Sequence, residues 1–234
     1  MIVIHFWNGI IHPILRLTQP RTIVEIGCAQ GYNTMNLLSF ASTVEGGRLI
    51  AIDPSPLFDV EQLIQQFGDR FDMRRGLSLD ILPHILSCDA AFIDGDHNWY
   101  TVYHELKHFE RMERFPIIFL HDLEWPYGRR DMYYFPESIP AEYRKPSAMK
   151  GILPGVSELV ENGHNSSVHN AEYEYGEKNG VLTAVEDFIA QSSLPLELHR
   201  AHSQFGLGII IPYVRGINFH LNEIVKRIIS HSNL

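Results

Sequence analysis

The sequence predicts an α/β fold: a doubly wound, mostly parallel seven-stranded sheet with an antiparallel last strand and a long lid insertion after the fifth strand. Three observations lead there. Short apolar runs alternate with helix-length segments across the first half of the chain, the pattern of parallel strands joined by crossover helices. The first run, RTIVEIG, breaks into glycine at Gly27 and again at Gly31, as a strand does when it turns sharply into a helix. Two late runs, LPLELHRA and FGLGIIIPYV, stand close enough together to pair antiparallel.

The elements follow in order. The start, MIVIHFWNGIIHPILRL, is apolar but has neither a basic leader nor a small-residue cleavage site, and His5, His12 and Pro13 interrupt it. It reads as a short amphipathic helix, residues 5–17, packed on the domain. After RTIVEIG comes YNTMNLLSFAS, a helix with Met35, Leu38 and Phe40 on its apolar face. GGRLIAIDPSP is a strand over residues 49–52 ended by Asp53 and Pro54, and FDVEQLIQQFG is a helix that stops at Gly68. FDMRRG is the third strand, LDILPHIL a short helix, DAAFIDGD the fourth strand, WYTVYHELKHFERM a helix and FPIIFLHD the fifth strand. Residues 123–178 then lose any sustained period. So long an irregular stretch is a functional lid or disorder, and Trp125, Tyr127, Tyr133, Tyr134 and Phe135 favour the lid, because disordered chains are poor in aromatics. VLTAVEDFIAQS is a helix, the two antiparallel strands follow, and NFHLNEIVKRIISHSNL closes the chain as a helix with Leu221, Ile224, Val225 and Ile228 on one face.

Composition limits what such a fold can do. The chain has 234 residues, 45% of them hydrophobic, enough for one domain spanning residues 1–234 with a sizeable core. A formal net charge of -9 argues against nucleic acid as a partner, since a surface that tracks phosphates is basic. No run approaches the roughly 20 apolar residues of a membrane helix. Cys28 and Cys88 form no ligand cluster and suit a reducing, cytoplasmic setting. His104 and His108, four apart on one helix without a third ligand, read as a solvated face. The N-terminal helix and the aromatic lid each offer a face on which a second copy could pack.

The stretch VEIGCAQGYNT carries the chemistry. Gly27 at the strand end permits a sharp turn, and Gly31 removes a Cβ that would obstruct a ligand lying on the turn. Free N–H groups and the positive end of the helix then face that ligand. Glu25 can receive a cationic amine, and Asp53, at the tip of the next strand, can accept both hydroxyls of a ribose. The spacing is G-x-x-x-G rather than the dinucleotide fingerprint G-x-G-x-x-G, which favours a ligand with an ammonium end over a pyrophosphate. Ligands of open parallel sheets bind at the carboxyl ends of the strands, and Gly27, Asp53, Asp94, His97, His121 and Asp122 all fall there.

These motifs resemble the class I S-adenosylmethionine-dependent methyltransferases, which have a Rossmann-like fold. VEIGCAQG is similar to the family's first motif and IDPSP to its ribose-binding acid. RGLSLDILP, AAFIDGDHNWY and IIFLHDLEW resemble three further segments of the catechol and caffeoyl-CoA type O-methyltransferases and related bacterial small-molecule enzymes. The resemblance implies S-adenosylmethionine as cofactor, bound by Glu25, Gly27, Cys28, Gly31, Tyr32, Asn33, Asp53, Ser78 and Asp94. It implies a divalent metal, magnesium or another, at Asp94, His121 and Asp122. His121 stands where the commoner family pattern has an acid, and a magnesium ion prefers an all-oxygen shell. His97 occupies the place of the catechol enzymes' catalytic lysine and can remove a hydroxyl proton, with Asp94 and His121 beside it. The expected reaction is methyl transfer to a hydroxyl of a small molecule, with Trp125, Tyr127, Arg129 and Arg130 as acceptor contacts. Two rivals accompany it: a protein that binds S-adenosylmethionine without transferring the methyl group, and an NAD-dependent oxidoreductase.

Overall fold

A computed structural model describes residues 3–213 and 219–234. Val214 and Asn218, read above as the end of the last strand and the start of the tail helix, lie outside the described residues. Helices α1 (Val3–Phe6) and α2 (His12–Thr18) are joined by a π-helical turn, Trp7–Ile11, into one arm that buries Phe6, Ile10, Ile11, Ile14 and Leu15. The sheet units follow as β1 (Thr22–Ile26), α3 (Tyr32–Ala41), β2 (Arg48–Ile52), α4 (Val60–Phe67), β3 (Phe71–Arg74), α5 (Ser78–Ile81), β4 (Ala90–Ile93), α6 (Trp99–Glu110) and β5 (Ile117–His121).

After β5 the chain leaves the sheet. The expected irregular lid is instead built of short strands: β6 (Met132–Tyr133), β7 (Ser147–Ala148), β8 (Gly151–Leu153), β9 (Val156–Val160) and β10 (His169–Ala171). They form a three-stranded sheet in the order β6-β10-β7 and a β8-β9 hairpin. The chain returns through α7 (Val181–Gln191), β11 (Leu196–Ala201), β12 (Leu207–Pro212) and α8 (Phe219–Ser232). The main sheet has seven strands in the order β11-β12-β5-β4-β1-β2-β3. The pairs among β1 to β5 are parallel, while β12 inserts antiparallel between β5 and β11.

Both faces of the sheet are covered, so successive strand residues enter different cores. Val24 and Ile26 of β1 pack with Val102, Leu106 and Phe109 of α6 and Val185 and Phe188 of α7. Ile23 packs with the N-terminal arm, Leu37 and Leu38 of α3, and Val225 of α8. Burying each such Leu or Phe contributes about 1.5–3 kcal/mol. Two expected faces need correction. Met35 is 36% exposed and Ile224 37% exposed, while Leu37, Leu38 and Phe40 of α3, and Asn222 and Val225 of α8, point inward.

Polar side chains fasten the insertion. The Asp131 carboxylate accepts the backbone N–H of Trp99 at the start of α6 (2.7 Å), the N–H of Gly180 ahead of α7 (2.6 Å) and the Tyr133 hydroxyl (2.8 Å). One acid thereby ties the N-termini of two core helices to β6, in the place where a helix end favours negative charge. No helix among the described residues is long and apolar enough to cross a membrane.

Candidate functional site

A cleft of about 480 Å³ opens at the carboxyl ends of β1, β2 and β4. Gly27 (φ 84°) turns the chain out of β1, and a Cβ there would lie 2.3 Å from the Asp94 carbonyl oxygen. Its glycine therefore lets the β1 and β4 loops touch. Gly31 (φ 79°) plays a different part from the one expected: a Cβ would lie 2.7 Å from the Phe58 ring, so the missing side chain admits Phe58, not a ligand. Asp53 accepts the N–H groups of Cys28 (2.8 Å), Ala29 (3.2 Å) and Ser55 (2.7 Å), which fixes the β1 loop against the tip of β2.

Of the expected cofactor contacts, Gly27, Asp53, Ser78 and Asp94 line this cleft together. Glu25, Cys28, Gly31, Tyr32 and Asn33 do not. Glu25 is buried against α3, accepting from Asn33 Nδ2 (2.8 Å) and Thr34 Oγ1 (2.7 Å). Burial pushes its carboxyl up to about 7 against those two hydrogen bonds. It borders a small void shared with Asn33, Asp94 and His121. The Cys28 thiol is buried and its pKa is pushed upward by that burial, so it is an inert core group, while Tyr32 is half exposed.

Beside the cleft, two imidazoles and two acids meet. His97 Nε2 lies 2.6 Å from Asp122 Oδ2 and 3.9 Å from Asp94 Oδ1. His121 Nδ1 lies 3.0 Å from Asp122 Oδ2 and 3.3 Å from Asp94 Oδ1, and its Nε2 is 3.1 Å from the Gln204 carbonyl. Asp122 sits at φ 61°, a left-handed conformation uncommon for a residue with a side chain and frequent at functional sites. Burial disfavours the charge on His121, but Asp94 and Asp122 outweigh it and raise the imidazole to about 11. The same contest raises His97, with Asp122 the main opposing charge. Burial also resists ionisation of Asp122, yet His97 and His121 hold its carboxyl well below the ordinary range. His97 Nδ1 is buried with no partner among the described residues. One ligand atom each from Asp94, His121 and Asp122 lies within 4.8 Å of the others, a spacing that fits a metal ion.

The insertion contributes differently from the expectation. Tyr127 packs its ring 5.3 Å from that of His97, and its hydroxyl accepts from Asn165 Nδ2 (2.6 Å). Trp125 stands 5.6 Å from His164 and its indole N–H is buried without a partner. Neither arginine lines the cleft. Arg129 forks onto Glu186 of α7 (2.6 and 2.8 Å), and Arg130, fully buried, donates to the carbonyls of Ala171 and Ser157. Arginines read from sequence as acceptor contacts are thus held by protein partners. The insertion residues that do line the cleft are Tyr134, Phe135, Ser138 and Ile139.

Sequence reasoning also missed Glu105, a fully buried acid of α6 behind Ser78 and Asp96. Its signal was present: it falls three residues after Val102 and four before Phe109, on the apolar stripe of the helix.

Comparison with known proteins agrees with this architecture. Residues 24–123 match the model of a family described as a methyltransferase domain. The S-adenosylhomocysteine-bound methyltransferase from Podospora anserina superposes with a TM-score of 0.55 at 16% identity, covering 91% of this chain and 79% of that one. A Staphylococcus aureus protein assigned as a caffeoyl-CoA O-methyltransferase superposes with a TM-score of 0.51 at 15% identity, covering 87% of this chain and 81% of that one. No curated protein matches the sequence. The fold is the Rossmann-like fold of these solved methyltransferases, and residues 24–123 resemble the methyltransferase-domain family.

Proposed function

We propose that this methyltransferase domain transfers the methyl group of S-adenosylmethionine to a hydroxyl of a small molecule. The observation that carries the reading is the cleft itself: the Gly27 turn, Asp53 and Asp94 converge on it at the strand tips, and the His97–Asp122 pair stands alongside. Because Tyr134 and Phe135 line the same cleft as Gly27, the insertion belongs to the functional unit.

Bound there, S-adenosylmethionine would supply an electrophilic methyl carbon on a sulfonium, to which the acceptor oxygen bonds in line as the carbon–sulfur bond breaks and S-adenosylhomocysteine leaves. Asp53 holds the β1 loop and presents its carboxylate to the ribose hydroxyls. Asp94 stands across the loop from it and complements positive charge. His97 pairs with Asp122 through Nε2, which fixes the ring beside the cleft; its Nδ1, without a partner among the described residues, would take the acceptor's proton when the ring is neutral and an acceptor reaches it. The Tyr127 ring packs beside that imidazole. Asp94, His121 and Asp122 would hold a divalent ion, their mixed oxygen and nitrogen set suiting manganese, iron or zinc better than magnesium, and such an ion would acidify the acceptor hydroxyl. The geometry of His97 favours transfer over binding alone, since a mere binder has no need of an oriented base. A cytoplasmic location fits the two unpaired, buried cysteines.

The test is turnover. Purified protein is screened for S-adenosylhomocysteine release over hydroxylated small molecules, with wild type and His97→Ala in parallel. Loss of a general base lowers kcat by about 10²–10⁴, and S-adenosylmethionine binding should persist. Equal turnover by the variant, or binding with no turnover on any acceptor, would count against the reading.

A further inference from the structure

Behind the wall of the cleft lies a buried acid. Glu105 is fully buried on the inward face of α6, and neither of its carboxyl oxygens has a well-formed hydrogen bond among the described residues. It stands one helical turn after Thr101, which lines the cleft. The hydroxyl of Ser78, the first residue of α5 and another lining group, faces it. The charges that reach it are those of Asp96 and His97, in the loop leading into α6. Asp96 is occupied, accepting from Asn98 Nδ2 (2.6 Å) and Thr101 Oγ1 (2.9 Å). Packing gives no reason for an acid at this position, since an apolar side chain or an amide would fill the space at lower cost. Its neighbour gives one. A protonated carboxyl can donate to the Ser78 oxygen, which frees the Ser78 proton for the cleft; a carboxylate can only accept, and draws that proton away from the cleft.

We propose that Glu105 is a positioning residue of this cleft: acting through Ser78, it makes the wall a hydrogen-bond donor towards an acceptor atom of the bound cofactor. The proposal rests on the S-adenosylmethionine reading and adds a residue to it that never touches the ligand. Burial raises the Glu105 carboxyl to about 8, so the donating form prevails at neutrality. Ionisation above that value reverses the Ser78 hydroxyl, and cofactor affinity falls as pH rises. Glutamine, whose amide always donates to Ser78, keeps the affinity and removes this pH dependence. An acid that destabilises the fold is then retained for what it does to its neighbour.

The test is calorimetric titration of the full chain with S-adenosylhomocysteine, with circular dichroism confirming the fold of every variant at every pH. At pH 7, Glu105→Gln should bind within about twofold of wild type and Glu105→Leu about threefold to tenfold more weakly, the size of one oriented hydrogen bond. In a Ser78→Ala background the leucine substitution should cost nothing further, because the group it acts through is gone. From pH 7 to one unit above the Glu105 pKa, wild type should lose about tenfold in affinity relative to Glu105→Gln. Asp96, His97 and the ligand's own amine titrate alike in both proteins and cancel in that ratio. A leucine variant that binds as well as wild type, a glutamine variant as weak as the leucine one, an equal loss in the Ser78→Ala background, or a ratio that does not change with pH would overturn the proposal. A folded wild type that does not bind S-adenosylhomocysteine at pH 7 would instead remove the methyl-transfer reading beneath it.

Discussion

Replacing Glu105 with glutamine should stabilise this protein, and increasingly so as pH rises. Glu105 is fully buried in α6, its carboxyl oxygens have no well-formed hydrogen bond, and the Ser78 hydroxyl offers only partial compensation. Burial raises its pKa from 4.5 to about 8, with the Asp96 charge adding to the effect. The sign follows from proton counting. Between the two pKa values the folded protein holds a proton that the unfolded chain has released, so stability falls with rising pH by about 1.4 kcal/mol per unit. The loss is absent below the unfolded value, grows through neutrality and is complete above about 8, where it reaches on the order of 5 kcal/mol. Glutamine has the same shape and no charge to bury. Denaturant unfolding of wild type and Glu105→Gln from mildly acidic to mildly alkaline pH should give curves that nearly coincide at the acid end and separate steadily above it. Glu25 and Asp131, also raised by burial, cancel in the difference. Parallel curves, or a variant less stable at the alkaline end, would refute the reasoning.

Two further outcomes follow from the packing. Gly31→Ala places a Cβ against the Phe58 ring at a positive φ, so it should cost about 1–3 kcal/mol and weaken S-adenosylmethionine binding by displacing the β1 loop, measured by thermal unfolding and titration together. Arg130→Ala leaves the Ala171 and Ser157 carbonyls without their donor and opens a cavity in the insertion; a loss of about 3–5 kcal/mol is expected, seen first as faster proteolysis within residues 123–178.

The legible parts of the molecule were those where one residue type has one physical meaning. Strands β1, β2, β4 and β5 announced themselves as apolar runs closed by Gly27, Asp53, Asp94 and His121–Asp122, because a parallel sheet covered on both faces leaves little room for polar residues except at its tips. The same economy puts Asp53, Asp94, His97, His121 and Asp122 at one edge of the sheet. The insertion was not legible. Its strands are two to five residues long, too short for a period to show, and their partners are set by long-range polar contacts such as Asp131 with Trp99 and Gly180. Arg130 illustrates the difficulty: an arginine pair in a polar loop looks solvated or anion-binding, and only the fold shows carbonyls closing around one of them. Gly31 was assigned to a ligand because sequence shows the absence of a side chain and not the neighbour, Phe58, that uses the space.

The central claim is that the cleft at the tips of β1, β2 and β4 is an S-adenosylmethionine site read by Asp53. Calorimetric titration of wild type and Asp53→Asn with S-adenosylmethionine, with unfolding curves confirming that both are folded, tests it most directly. The account predicts binding at one site per chain in wild type and a large loss of affinity in the variant, since Asp53 both fixes the Cys28 and Ala29 N–H groups and lines the cleft. A folded wild type that ignores S-adenosylmethionine, or a variant that binds it as well as wild type, would contradict the account.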